Sequence, residues 1–558
     1  MSGGARSVAL GILASKIVGL GRETAVALFF GVGPHADVWR SALRAPNLLQ
    51  NLLGEQTLSA AFIPIYSRLV DKGSAEDAGR FAGAALGLLT VTVSVVVVLG
   101  MLFAPQIVAV LAAGFLGDAE KVAAGTLEVD RYQLLVRAVR IVFPMTGCLV
   151  ISAWALGILN SHRRFLLPYL SPIVWNLAIV GSLVGVATSG GWLTSPAAAP
   201  VDVVTRWLYA ACWGALAGGA AQVAVQLPAV LRLVPKLRPS FDLAAPGVRR
   251  ALSALGPALA GRGVVQLSLY VDVFLASFLA PGAPSAIAYA ATLINLPLGV
   301  FGMSVAAAEL PELARRDAGS ASGEIARRVR RGLRQSAFVV APSVVGLLAF
   351  GFLVVGLLYR RGNFGVTDNW LVWAVLSAYA LGLLASTMSR LLQNAFFALG
   401  DTKTPARVAT VRLVASAGLG GFLMLPLDRL SVAATVGLPE PARPLFFGAC
   451  GLALASSVAA WSELLLLARA LRRALDDRGL GSSGEAGPVV PLAPIGAHLL
   501  RSLVVAAPVG LGWWGLAGLG PPFWAQGLVV LPAFAVVYLG WAWLRGAEEL
   551  QLWLGRLG

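Results

Sequence analysis

Residues 81–113 read FAGAALGLLTVTVSVVVVLGMLFAPQIVAVLAA, a run of 33 positions without one ionisable side chain. A membrane-spanning helix needs about 20 mostly apolar residues, so this stretch is a span with length to spare. The rest of the chain is built the same way. Of 558 residues, 58% are hydrophobic and 13% charged, against about 25% charged in a soluble chain. No water-soluble fold hides that much apolar surface, because surface area grows too quickly with chain length. The composition implies an all-α polytopic membrane protein.

Working outward from 81–113, the same length rule gives fourteen spans. They lie near 8–31, 37–67, 81–113, 132–160, 166–188, 206–232, 250–280, 285–311, 333–358, 370–397, 405–426, 444–472, 496–518 and 522–545. An even number places both termini on one side. With the N-terminus cytoplasmic, the inner loops hold 23 Lys and Arg residues and the outer loops 7. That asymmetry is the positive-inside pattern, so both termini are expected in the cytoplasm. The net charge of +16 then belongs to membrane loops and does not call for a nucleic-acid partner. The opening MSGGARSVALGILASK lacks a small-residue cleavage site and reads as the run-up to the first span. Cys148, Cys212 and Cys450 sit singly in apolar stretches, without disulfide or zinc spacing.

The segment DDRGLGSSGEAGPVVPLAP is the most linker-like in the chain. It suggests an N-terminal lobe at 1–235, a C-terminal lobe at 236–475, a cytoplasmic linker at 476–495 and a helix pair at 496–558. The two six-helix lobes look duplicated. Gly33, Pro46 and Pro64 in the first match Gly282, Pro297 and Pro311 in the second, with small gaps. Copies that begin on the same side are parallel repeats, a transporter signature with the substrate site between the halves.

Charge inside the first two spans needs an explanation. Span 1 carries Lys16, Arg22 and Glu23, and span 2 carries Asp37, Arg40, Arg44, Asn47, Asn51, Glu55 and Ser59. On one straight helix the seven positions of span 2 fall within an arc of about 120°. An ionised side chain facing lipid near the midplane costs at least about 2.5–3.5 kcal/mol. The stripe is therefore expected to border a hydrated cavity or protein partners. One reading makes Asp37 with Arg40, and Glu55 with a nearby cation, ion pairs that lock helices together. The other notes that Lys16, Arg22, Arg40 and Arg44 outnumber Glu23, Asp37 and Glu55, a cationic surplus suited to a diphosphate. Pro46 and Pro297 remove backbone hydrogen bonds at matching depths. They read as bending points for alternating access or as static kinks.

Several runs resemble the MurJ (MviN) family of lipid II flippases, in the multidrug/oligosaccharidyl-lipid/polysaccharide exporter superfamily. They are SKIVGLGRE, FFGVGPHADVW, RAPNLLQNLLGEQTLSAAFIPIYSRL, ALGILNSHRRFLLPYLSPIVWN, LASFLAPGAPSAIAYAATLINLPLGVFG and FFALGDTKTPARV, spread over roughly residues 5–470. The resemblance implies a two-lobed carrier in the bacterial inner membrane, with a central cavity and a groove for a polyprenyl tail at the last two helices. Its substrate would be an undecaprenyl-diphosphate-linked peptidoglycan precursor moved from the cytoplasmic to the periplasmic leaflet. Membrane lipids, and other cell-wall synthesis proteins, would be its partners. By the same resemblance Lys16, Arg22 and Arg44 are substrate-binding cations, and Glu23, Asp37 and Glu55 are gating or ion-pair acids. Gln50 and Asn51 stand where the family places arginines after PNLL, and Thr292 and Asn295 replace an arginine and a glutamate in span 8. Arg40 is the candidate replacement on the same stripe, and Asn47 and Asn51 are further substrate-binding candidates there. Some members resemble sodium-coupled carriers, which makes Asp272 a candidate sodium ligand, although the matching helix 11 asparagine is Gly420 here. Sodium or a proton is the expected coupling ion; no other cofactor is expected.

Other functional classes fit less well. A membrane enzyme acting on lipid-linked donors would show a large outer loop or convergent acids, and the outer loops are short. No GxxxxGK[ST] run supplies nucleotide energy. A flippase for another polyprenyl-linked glycan, or a non-transporting paralogue acting as a scaffold, is the alternative that the missing arginines support.

Overall fold

The computed structural model describes residues 3–54, 58, 61–235, 237–253, 270–297, 322–477, 490, 492–545, 547 and 549–550. Glu55, Pro311, much of the expected spans 7 and 8 and most of the 476–495 linker lie outside the described residues. The named elements are all helical. In chain order they are α1 Gly3–Phe30, α2 Pro34–Ala42, α3 Arg44–Leu53, α4 Ile63–Asp71, α5 Ala75–Leu102, α6 Ala104–Leu111, α7 Asp118–Ala123, α8 Arg131–Val142, α9 Met145–Ser161, α10 Leu166–Ser189 and α11 Val201–Leu233. They continue with α12 Ala283–Pro297, α13 Ser322–Tyr359, α14 Val366–Ala398, α15 Lys403–Leu427, α16 Val432–Val436, α17 Gly448–Asp476, α18 Leu492–Gly518 and α19 Phe523–Leu544.

Ten helices among the described residues are long and apolar enough to cross a membrane. They coincide with expected spans 3–6 and 9–14. The remaining four are spans 7 and 8, which are only partly described, and spans 1 and 2. The helix α1 has the length, at 28 residues, but Lys16, Arg22 and Glu23 make it too polar to qualify by composition. Span 2 is not one helix. Pro46 has no N–H to give the Ala42 carbonyl and its ring crowds that carbonyl, so α2 ends at Ala42 and α3 starts at Arg44. A second interruption follows at Gly54, and Pro64 stands in the first turn of α4. The arc computed for a straight helix 37–67 therefore does not describe one surface.

The chain forms two compact units, residues 1–285 with 361–365, and residues 286–360 with 366–558. In the first, a core stack of Phe62, Tyr66 and Phe81, with ring centres 5.1–5.4 Å apart, ties α4 to α5. The outer face of α5 leaves Val95, Val98, Leu99 and Leu102 exposed, and 17% of its most apolar stretch is buried in protein. Such a surface is stable against lipid and would aggregate in water. In the second unit α13, α18 and α19 share a core of Phe338, Phe350, Phe534 and Tyr538, and α17 packs along α14 and α15.

Helices in lipid gain little from the hydrophobic effect and associate through close van der Waals contact at small residues. Gly382 of α14 meets Ser457 of α17, where a Cβ would lie 2.7 Å from both Cα and Oγ of the serine. Ser457 Oγ donates to the Ala378 carbonyl at 2.6 Å, so it cannot step aside cheaply. Gly382→Leu is expected to lower stability by about 1–3 kcal/mol or more. Its melting temperature in detergent should fall well below that of Gly418→Leu, a position with open space around it.

Outside the spans, the carboxyl of Asp401 organises the start of α15. It accepts the Thr404 hydroxyl at 2.6 Å and the N–H groups of Lys403 and Thr404 at 2.9 and 3.0 Å. These bonds, the Thr404 hydroxyl first, hold the carboxyl below its ordinary value of 3.8. A depressed folded value stabilises the fold above the unfolded one, and the contribution disappears as pH falls through the folded value. Asp401→Ala should cost about 1 kcal/mol at neutral pH, the usual worth of such a cap. Thermal melts at descending pH should show the gap to wild type closing as pH falls below the carboxyl's ordinary value of 3.8.

Candidate functional site

The cations of spans 1 and 2 meet at one acid. Glu23 of α1 is 4% exposed and forms ion pairs with Arg22 beside it and with Arg40 of α2. The side chains of Arg22 and Arg40 are 16% and 12% exposed. The Arg22 guanidinium also lies over the Trp175 ring of α10, 4.8 Å from its centre. Trp175 is itself fixed by donating its indole N–H to the Ala215 carbonyl at 3.0 Å. Cation–π contact on a positioned ring orients the guanidinium without neutralising it. The cluster carries one net positive charge, and the buried Arg22 Nε has no hydrogen-bond partner among the described residues. A buried donor left unpaired costs about 1–3 kcal/mol, which an arriving anionic oxygen would recover.

Asp37 belongs to a different structure. It is completely buried and accepts the backbone N–H groups of Gly282 at 2.7 Å and Ser285 at 2.9 Å. Gly282 has φ +99°, a left-handed conformation that glycine adopts without steric cost. The cation facing Asp37 is Arg131, 3.5 Å away, which also grips Asp118 through Nε at 2.5 Å and Nη2 at 3.2 Å. Arg131 and Asp118 are both completely buried. The pairing of Asp37 with Arg40 read from their spacing is thus replaced by Glu23–Arg40 and Asp37–Arg131. Both acids are ion-paired in the structure, and Asp37 is enclosed by protein.

The other expected residues scatter around these two groups. Lys16 is exposed on α1, while Arg44, Asn47 and Asn51 are half-buried on α3. The Arg44 carbonyl accepts the Tyr270 hydroxyl at 2.6 Å, and Pro46 is buried at the α2–α3 kink. Pro297 is the last described residue of α12. Asp272 is half-buried, and no group of three or more His, Cys, Asp or Glu residues gathers among the described residues. Gly420, at the expected helix 11 position, offers no side-chain oxygen.

Sequence reasoning missed Asp118, Arg131 and Trp175. Arg131 stands at the edge of a span, where a cation reads as a loop charge, and nothing periodic links it to Asp37. Trp175 lies inside a quoted motif, but an aromatic residue in an apolar helix carries no sign of its cationic neighbour.

Comparison with known proteins bears on the whole assembly. The lipid II flippase MurJ of Burkholderia cenocepacia is 29% identical over 539 residues, 96% of this chain and 95% of that protein. A probable lipid II flippase MurJ from Rhizobium tropici is 30% identical over 456 residues, 82% of this chain and 78% of its own length. Among solved structures, a lipid II flippase MurJ in an inward closed conformation covers 95% of this chain and 97% of its own, with TM-score 0.70 and 21% identity. An inward-facing MATE family transporter of the MOP superfamily covers 84% of this chain and 96% of its own, with TM-score 0.59 and 13% identity. These structures establish a shared fold. The family model for lipid II flippase MurJ matches residues 26–534, nearly the full length, and the chain belongs to that family.

Proposed function

We propose that this protein moves a polyprenyl-diphosphate-linked peptidoglycan precursor, lipid II, from the cytoplasmic to the periplasmic leaflet by alternating access. It works in the bacterial inner membrane with both termini in the cytoplasm. The observation that carries the reading is the Arg22–Glu23–Arg40 cluster, a partly open pair of guanidinia sharing one acid inside a membrane protein. A diphosphate offers oxygens that arginine clasps bidentately, while the polyprenyl chain remains in the bilayer. Lys16, Arg44, Asn47 and Asn51 supply further donors along the same two spans. The membrane potential, negative inside, favours outward movement of an anion by about 2.3 kcal/mol per charge per 100 mV.

The test is rescue of cells depleted of their own lipid II flippase. Growth restored by this chain supports lipid II as the substrate. Failure despite good membrane expression favours another polyprenyl-linked glycan, the reading supported by Gln50, Asn51 and Thr292. Flipping of neither lipid in proteoliposomes would leave a lipid-binding scaffold.

A further inference from the structure

At one end of the second unit, α13, α18, α19 and the residues after α19 enclose a cavity of about 230 Å³. Three arginines line it, Arg334, Arg501 and Arg545, together with His498, Trp541 and Glu549. Glu549 is engaged, accepting Arg334 Nε at 2.7 Å with His498 Nε2 3.7 Å away. Arg501 and Arg545 have no carboxylate partner among the described residues. Both guanidinia flank the Trp541 ring, 5.5 and 5.7 Å from its centre. His498 is 2% exposed, and its Nδ1 is buried without a hydrogen-bond partner among the described residues. Among the described residues one acid stands against three arginines and one ring nitrogen is orphaned, which makes this a site short of an anion.

The surroundings say which anion. Leu500 and Leu503, on either side of Arg501 in sequence, are 63% and 55% exposed, and Leu544 beside Arg545 is 76% exposed. An apolar, lipid-facing surface thus runs up to a basic cavity at a helix end, with Trp541 in its lining and Trp543 exposed outside it, the amphipathic residue type found at membrane–water interfaces. Basic pockets between transmembrane helices bind anionic lipid headgroups. We propose that this cavity holds the phosphodiester headgroup of an anionic phospholipid, Arg501 and Arg545 grasping the phosphate and the acyl chains lying along Leu500, Leu503 and Leu544. The site shares no residue with the Glu23 cluster, and its occupant is a resident lipid rather than cargo.

The test reads retained lipid instead of transport, so it stands or falls separately from the flippase reading. Full-length protein purified in detergent is exposed to equal amounts of phosphatidylglycerol and phosphatidylcholine and examined by native mass spectrometry. Wild type should retain phosphatidylglycerol in clear preference. Arg501→Gln with Arg545→Gln should weaken that retention about thirtyfold, the loss expected for two interfacial arginines. The paired lysine variants should keep most of it, and Arg206→Gln, at an exposed i,i+4 pair, should match wild type. Absence of preference in the wild type, which needs no variant to fold, overturns the proposal. So does undiminished retention in the double glutamine variant. Displacement of the lipid by an equal concentration of inorganic phosphate would overturn it in favour of a free-phosphate site.

Discussion

Arg22→Ala is expected to reduce transport by about 100-fold or more, the usual consequence of removing one partner from a desolvated charge contact, with the protein still inserted at near-normal levels. The geometry explains both halves. Glu23 keeps Arg40 as its ion partner when Arg22 is lost, so no buried carboxylate is stranded and folding survives. What disappears is the guanidinium held over Trp175, with its unpaired Nε. Arg22→Lys should recover part of the activity, since it restores charge but not the bidentate fork. Leaflet-resolved transport in proteoliposomes, normalised to protein, makes the measurement. Full transport by the alanine variant would remove Arg22 from the substrate clamp and take the central argument for the proposed function with it.

The second large effect is on stability. Arg131→Ala leaves Asp37 buried without its ion partner and Asp118 with only Lys121, 3.4 Å away, and breaking a buried pair in this way costs about 3–5 kcal/mol. The comparison that isolates burial is Arg206→Ala. Its pair with Asp202 has side chains 72% and 64% exposed, and such pairs contribute about 0–1 kcal/mol. The melting temperature of Arg131→Ala should therefore fall by several times the shift of Arg206→Ala. Adding Asp118→Asn to Arg131→Ala should return part of the loss, because it removes one of the two buried carboxylates that Arg131 held. Equal melting temperatures for the two alanine variants would show that the Asp37–Arg131–Asp118 group is not structurally important.

These two sites also show what a sequence can reveal. Hydropathy alone places ten spans, because each carries its evidence within some 20 consecutive residues. The first two spans are harder for the reason that makes them interesting: the charges that mark a functional region also lower its apolar score. Arg22, Glu23 and Arg40 were identifiable one by one, as ionisable residues where lipid forbids them. Their pairing was not, because α1 and α2 are joined through the turn at 31–33 and its geometry decides which faces meet. Arg131 and Asp37 are 94 positions apart, a separation that no periodicity bridges. Pro46 is legible as a kink, but the polar stripe holds together only on a straight helix, which the proline does not permit.

Glu23 also has a bearing on selectivity. Because the two guanidinia already share a covalently tethered counter-ion, the resting carrier presents one net positive charge instead of two to abundant small phosphates. A visiting anion has to outcompete a carboxylate that is present at every moment, and a lone inorganic phosphate brings no hydrocarbon to the bilayer to help it do so. A diphosphate anchored to a long isoprenoid does. The acid thus weakens binding for every anion and weakens it least, in relative terms, for the one that arrives through the lipid.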